Sequence, residues 1–253
     1  MNTVAYRTKP KVGSAAATRW PLMISLIMRT SFFLIFGLAI AGAFAAAGAE
    51  HPLRAAEKWW PFQAILANVA TFFVLRALVR NEGGSYRALF GMRRSLLAKD
   101  GKQFAGLLVV GFVLGGLPLY LFSYLILGSV VPPDLMFQPL PLWAAIVAVI
   151  AFPLTNALVE TPTYIGYALP RLREATGKLW SAALLAGLAL AFQHVALPIV
   201  ADVPYMLWRF AAFIPLAVAL GFIFHRTNRL LPIAAAHGVM DLQLAVTVLL
   251  YSI

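Results

Sequence analysis

Long apolar segments follow one another along most of the chain, and only short polar stretches separate them. The hydrocarbon core of a membrane is about 30 Å thick, a distance that an α-helix of about twenty apolar residues spans. Seven segments reach this length. They are 22–47, 60–79, 104–128, 142–169, 180–198, 205–224 and 230–252. The pattern predicts an all-α fold, a polytopic membrane helix bundle of about seven transmembrane helices.

The composition favours a membrane protein over a soluble one. Hydrophobic residues make up 62% of the 253 residues and charged residues only 11%, whereas soluble domains carry about 25% charged residues. The chain has no cysteine, which excludes disulfides, thiolate catalysis and cysteine-ligated zinc. We therefore expect a cytoplasmic tail over residues 1–20 and a single membrane domain over residues 21–253.

Lysine and arginine are concentrated in alternate polar stretches. The first twenty residues contain four of them and 80–103 contain six, whereas 129–141 contain none. The positive-inside rule then predicts a multi-pass protein of the cell inner (plasma) membrane, with its N-terminus in the cytoplasm and its C-terminus outside. The net charge of +11 is accordingly interpreted as contact with the anionic lipid bilayer, and no nucleic acid partner is expected.

Two polar segments carry more specific expectations. The small residues of "AFAAAGAE" after the first apolar segment leave a cleaved signal peptide open as an alternative to a signal anchor. Within 80–103, the stretch "YRALFGMRRSLLAK" predicts a basic amphipathic helix on the inner leaflet.

Four ionisable side chains lie inside the apolar segments, where they are costly and usually mark a function. They are Glu160, His194, His237 and Asp241. At 1.5 Å per residue, each lies about 10 to 21 Å from the cytoplasmic end of its helix. His237 and Asp241 are four residues apart and therefore share one helical face. We expect the four groups to meet at one buried level.

Other polar residues in the spans are given simpler roles. Arg29 is expected to snorkel or to pair within the first span. Asn68, Asn156 and Gln193 are expected to form hydrogen bonds between helices. Pro162 lacks an N–H and clashes with the carbonyl of Leu158, which predicts a kink beside Glu160 and favours a water-lined cavity there.

Three chemistries suit a buried carboxylate with two histidines. The carboxylate can act as a general base on water while a histidine binds a developing oxyanion. The same groups can hold zinc or a similar metal ion, or they can form a proton or ion pathway. Composition and depth do not choose among these three.

Three segments carry a pattern of known motifs. "ETPTYIGYALPRLREATG", "LALAFQHVALP" and "GFIFHRTNRLLPIAAAHGVMD" resemble, in order and spacing, the signature regions of the CPBP family. These are the type II CAAX-prenyl endopeptidases and their bacterial relatives, also called the Abi family. The resemblance covers residues 140–250. The family's motifs are Glu-Glu-x-x-x-Arg-Gly, then Phe-x-x-x-His, then His-x-x-x-Asn or Asp.

The chain departs from these motifs at three positions. Thr161 stands in place of the second glutamate, Ile165 in place of the arginine, and Leu190 in place of the phenylalanine. Since Thr161 and Ile165 are four residues apart, the missing charges would face each other on one helix turn. Our hypothesis is that a supporting ion pair was lost as a unit while Glu160 stayed, because neutral replacement of both partners is often tolerated.

The resemblance implies an intramembrane endopeptidase that hydrolyses a peptide bond of a membrane-associated protein or peptide near its cytoplasmic side. On that model Glu160, aided by His194, activates a water molecule, and His237 with Asp241 holds the oxyanion. Asp241 must then be protonated, or it must orient His237 by accepting its N–H. No cofactor is required on this model. Zinc held by Glu160, His194 and His237 stays open, since older views of the family treat such residues as the ligands of a metallopeptidase.

Two non-peptidase alternatives remain at this stage. The first is a catalytically degenerate membrane scaffold or immunity-type binding protein on the same fold. The second is a proton-coupled transporter that uses Glu160. The sequence predicts neither the substrate nor the oligomeric state.

Overall fold

The computed structural model describes residues 15–253, and the side chains from Arg19 onward. The basic residues Arg7, Lys9 and Lys11, which enter the orientation argument, lie outside the described residues. Within the described part every regular element is a helix.

Seven helices of the described chain are long and apolar enough to cross a membrane, which confirms the predicted fold class. Their ends lie within about three residues of the predicted ones, except that the first and third helices begin and the fourth ends seven residues beyond the prediction. They are α1 (Ala15–Ala46), α2 (Trp60–Asn81), α3 (Leu97–Gly111, continued by Phe112–Gly116, Leu117–Phe122 and Ser123–Leu127), α4 (Leu142–Thr161, continued by Pro162–Ala168 and Leu169–Thr176), α5 (Leu179–Phe192, continued by the 3₁₀ turn Gln193–Ala196), α6 (Val203–Thr227) and α7 (Leu230–Leu250).

The most extensive helix pairings are α4 with α7 and α5 with α6, while α1 packs on α2 and on the turn after α5. Small residues allow α4 and α7 to approach closely. A Cβ atom on Gly238 of α7 would lie 2.9 Å from the Cβ of Ala157 of α4. This close contact is one residue from His237, and it holds the two helices together at the level of Glu160.

The polar segment before α3 differs from the predicted amphipathic surface helix, so that prediction is wrong. It contains two short 3₁₀ helices, Tyr86–Phe90 and Arg94–Leu96. They are separated at Gly91, whose φ of 55° is a left-handed conformation that glycine adopts without strain. Phe90 is buried in the protein core, and the carbonyl of Gly91 accepts a hydrogen bond from Arg229. The segment is therefore folded against the bundle.

Pro162 changes the helical geometry of α4 in the turn that follows Glu160. Residues Pro162–Ala168 form a π-helical segment between two α-helical ones, as expected where a proline removes a backbone donor. The carbonyl of Leu158, which loses the N–H of residue 162 as a partner, accepts a hydrogen bond from the hydroxyl of Tyr86. The sequence argument expected water at this carbonyl, but its partner is a protein side chain.

Candidate active site

Glu160 is buried on α4, and its closest charged partner is Arg29 of α1. The Arg29 Nη2 atom lies 3.0 Å from Glu160 Oε2. Arg29 has no exposed surface and Glu160 is 3% exposed. The expectation that Arg29 snorkels or pairs within its own span is wrong, because its guanidinium instead points inward and contacts a helix 131 positions away in sequence.

Three further N–H groups of Arg29 donate to amide side chains. Its Nε donates to Gln193 at 2.6 Å, Nη1 to Asn68 at 2.6 Å and Nη2 to Asn156 at 2.9 Å. These amides lie on the turn after α5, on α2 and on α4, so the predicted interhelical hydrogen bonds of all three are present. The planar guanidinium, with five N–H donors, suits such a junction better than an ammonium. Arg29 therefore joins four helical segments around Glu160.

His237 of α7 faces Glu160 across the contact between α4 and α7. Its Nε2 lies 3.4 Å from Glu160 Oε1 and 3.9 Å from Asp241 Oδ2, and its Nδ1 lies 3.0 Å from the hydroxyl of Thr161. With two carboxylate oxygens facing Nε2, the proton of a neutral ring is best placed on that nitrogen, and Nδ1 then accepts from Thr161. Glu160, His237 and Asp241 are thus brought together.

Asp241 is held by a neighbour on another helix. Asn156 Nδ2 of α4 donates to Asp241 Oδ2 at 2.8 Å, while Asn156 Oδ1 accepts from Arg29. A relay of hydrogen bonds therefore runs from the guanidinium through one amide to the second carboxylate. The same Asp241 oxygen lies 3.9 Å from His237 Nε2, which is too far for a hydrogen bond.

His194 lies in the turn after α5 and is held separately from the other three. Its Nδ1 is 3.1 Å from the carbonyl of Leu190, so Nδ1 carries the proton and Nε2 is the acceptor of the neutral ring. The imidazole stacks on Phe213 of α6 at a centroid distance of 3.6 Å and an interplanar angle of 4°. It is close enough to Glu160 and His237 to interact with both electrostatically, but no hydrogen bond joins it to either in the described structure.

The two departures from the glutamate motif have different surroundings. The Thr161 hydroxyl contacts His237, whereas Ile165 is fully buried in an apolar cluster with Leu169, Leu230 and Ile233. A positive charge does reach Glu160, but Arg29 supplies it from α1. The hypothesis of a local pair lost as a unit is therefore incomplete, because it did not include this second source of charge.

The side chains do not form a ready metal site. Among residues 19–253, no group of three His, Asp or Glu side chains is arranged to hold a metal ion. One oxygen of Glu160 already binds a guanidinium, and His194 is engaged apart from His237. The residues present do not fit the zinc alternative, and we derive no step through a metal.

Arg29 is the residue at this site that the sequence argument missed. The sequence did contain an indication of its role, since a single arginine in an apolar span is energetically costly unless it is paired. The partner could not be named, because hydropathy does not give the rotation of α1 relative to α4. Asn156 lies one turn before Glu160. Its contact with Asp241 could not be predicted from the sequence for the same reason.

Comparison with known proteins gives one match. Residues 141–243 match the family model described as Type II CAAX prenyl endopeptidase Rce1-like, a segment that contains Glu160, His194, His237 and Asp241 but not Arg29. Neither the curated proteins nor the solved structures that were compared include a match to the chain. Residues 141–243 of the chain thus match the type II CAAX prenyl endopeptidase Rce1-like family model, which confirms the resemblance inferred from the three motifs.

Proposed function

We propose that this protein is a glutamate-dependent intramembrane endopeptidase that hydrolyses a peptide bond of a membrane-associated protein or peptide. The observation that carries the proposal is the free oxygen of Glu160. Oε2 is bound by Arg29, whereas the buried Oε1 has no hydrogen-bond partner in the described structure and faces His237 at 3.4 Å. A buried carboxylate with one fixed and one unpartnered oxygen is suited to bind and deprotonate a water molecule.

The proposed reaction needs no group beyond these side chains and water. Glu160 takes a proton from the water, and the hydroxide adds to the scissile carbonyl. His237 Nε2–H donates to the resulting oxyanion, as a fixed donor in a water-poor site can do effectively. The proton held by Glu160 then passes to the leaving amine, and the C–N bond breaks.

The other groups position this machinery. Arg29 stabilises the ionised form of Glu160 and fixes its orientation. Thr161 holds Nδ1 of His237, which leaves the Nε2–H free to donate to the oxyanion. His194 offers Nε2 as a second acceptor for the attacking water. The Asn156 amide links Asp241 to Arg29, which in turn binds Glu160, so that the site acts as one hydrogen-bonded unit.

We also propose the inner (plasma) membrane as its location, with the N-terminus in the cytoplasm. This orientation rests on the alternation of basic and non-basic polar segments along the sequence. With this orientation the proposed site is reached from the cytoplasmic half of α4 and α7.

The test is a comparison of peptide termini in membranes that contain wild type, Glu160→Gln, His194→Ala or the exposed control Asp134→Asn. New termini should appear with wild type and with Asp134→Asn, and should be lost with Glu160→Gln and strongly reduced with His194→Ala. Identical termini in all four membranes would reject the peptidase and favour a scaffold. Solute flux that requires Glu160, without any cleaved peptide, would favour the transporter.

A further inference from the structure

A groove lies between the end of α1 and the start of α2, about 25 Å along α1 from Arg29. Its volume is about 380 Å³, which is within the size range of small-molecule sites. The short helix Pro52–Glu57 forms one side of it. We call it the interfacial groove, and its polar lining residues are Glu50, His51, Arg54, Lys58 and Gln138.

A cluster of aromatic rings places the interfacial groove at the level of the lipid headgroups. The ring of Trp59 packs against Phe44 at a centroid distance of 6.4 Å and against Trp143 at 6.3 Å. The two tryptophans lie at the start of α2 and of α4, and membrane proteins concentrate tryptophan at the boundary between hydrocarbon and water. Phe44 also lines the groove. A molecule in the groove therefore lies at the level of the glycerol and phosphate groups of a lipid.

The charged side chains of the interfacial groove do not neutralise one another. Across residues 19–253, neither Arg54 nor Lys58 has a carboxylate oxygen within 4.0 Å, and Glu50 has no basic partner within that distance. Glu57 interacts electrostatically with Arg54, but it lies outside the groove lining. The groove thus presents two cations and one anion to a ligand.

This pattern of charges matches a zwitterionic phospholipid headgroup. A phosphodiester carries one negative charge and accepts hydrogen bonds, so it suits Arg54 and Lys58. A primary ammonium carries three N–H donors, as in lysine, and suits the carboxylate of Glu50. A choline headgroup has no N–H group to donate, and a glycerol headgroup has no positive charge. Ethanolamine is therefore the headgroup that matches all three side chains.

We propose that the interfacial groove binds the headgroup of one phosphatidylethanolamine molecule, with its phosphate on Arg54 and Lys58 and its ammonium on Glu50. The aromatic cluster then contacts the first carbons of the acyl chains. The bound lipid joins the end of α1 to the start of α2. These two helices supply Arg29 and Asn68 to the candidate active site, so the lipid stabilises the bundle at a distance from that site.

Retention of lipid in native mass spectrometry tests the inference. The protein is purified in detergent, stripped of lipid and mixed with phosphatidylethanolamine, phosphatidylcholine or phosphatidylglycerol that carry the same acyl chains. Wild type should retain one phosphatidylethanolamine with an affinity about tenfold above that for phosphatidylcholine, as expected for one additional hydrogen bond between charged groups. Soluble glycerophosphoethanolamine at the same concentration should not displace it, because it has no acyl chains to contact the aromatic cluster.

Three variants separate the roles of the groove side chains. Glu50→Gln should still bind lipid but should lose the preference for ethanolamine over choline. Arg54→Gln and Lys58→Gln should each weaken the retention of all three lipids severalfold, because phosphate is common to them. Lys102→Gln, at an exposed position outside the groove, is the control and should behave as wild type. Since none of these side chains is buried, all variants should unfold at the wild-type temperature without lipid.

Four outcomes would overturn the inference. One is equal retention of phosphatidylethanolamine and phosphatidylcholine by wild type. Another is wild-type retention and preference in all three groove variants. Stronger retention of phosphatidylglycerol than of phosphatidylethanolamine would contradict the role of Glu50. Displacement by glycerophosphoethanolamine would assign the groove to a soluble phosphate ester. The inference is independent of the proposed peptidase function, since none of these measurements involves cleavage.

Discussion

Arg29 is the residue on which the arrangement around Glu160 depends most. Its guanidinium satisfies a carboxylate and three amides from three other helical segments, all of them buried. Removal of one member of a buried ion pair leaves the other charge unpaired, which costs far more than the replacement of both by neutral groups.

We predict that Arg29→Gln lowers the free energy of unfolding by about 3 to 5 kcal/mol, as measured by chemical denaturation in detergent. The double variant Arg29→Gln with Glu160→Gln should regain part of this loss, because no unpaired charge remains. Arg19→Gln, at an exposed position of the same helix, serves as the control. A single variant as stable as wild type would show that the pair does not hold the bundle together.

The surroundings of Thr161 and Ile165 differ from those expected if an ion pair had once joined these two positions. Ile165 is fully buried among apolar side chains, so Ile165→Arg should lower the stability by at least about 3 kcal/mol. Adding Thr161→Glu should not restore it, because Thr161 contacts His237 and not the Ile165 cluster. The measurement is the same denaturation experiment on both singles and the double. Rescue in the double would instead support the original hypothesis of a local pair.

Among the helices, α4 carries the most unusual feature, a π-helical segment that begins at Pro162 directly after the motif position Thr161. The carbonyl that the proline leaves without its α-helical donor is bound by Tyr86, from the polar segment before α3. This bond ties that segment to the helix that carries Glu160. The geometry of the candidate site thus depends on a residue outside the family-matched region 141–243.

Tyr86→Phe is predicted to cost about 1 to 3 kcal/mol, because it leaves a carbonyl inside an apolar span without this donor. The same change should cost less in a Pro162→Ala background, where the N–H of residue 162 becomes available to that carbonyl. Unfolding of the four proteins gives the coupling energy, and Tyr120→Phe at an exposed position is the control. Equal costs in both backgrounds would show that the tyrosine and the proline act independently.

The length and spacing of the apolar segments were sufficient to predict the helices, and the motifs indicated the family that matches residues 141–243. The sequence also grouped Glu160, His194, His237 and Asp241, but His194 has no hydrogen bond to the other three in the described structure. The partners of Arg29 and of the Leu158 carbonyl could not be predicted from the sequence, for a physical reason. Helices that are apolar on nearly every face do not reveal in their sequence which face turns inward. Contacts such as those of Arg29 with Asn68 and Gln193 depend on helix rotation and tilt, which only the packed bundle fixes.

At the scale of the whole molecule, the orientation in the membrane is a prediction that the absence of cysteine makes simple to test. Single cysteines introduced at the exposed Ser95 and Ser129 have no background reaction. A membrane-impermeant maleimide added to intact cells should label Ser129→Cys and should label Ser95→Cys only after the membrane is opened. The reverse pattern would place the N-terminus outside and invert the proposed topology.

The central claim is that several helices from across the chain converge to make one hydrolytic site around Glu160. The measurement that tests it most directly is incorporation of ¹⁸O from labelled water into new peptide C-termini, using purified protein in nanodiscs and a library of apolar peptides. The account predicts one labelled oxygen at each new terminus with wild type and with Asp134→Asn, little or none with Glu160→Gln, and no effect of a metal chelator. Equal incorporation with Glu160→Gln and wild type would contradict the account, and so would loss of incorporation with the chelator.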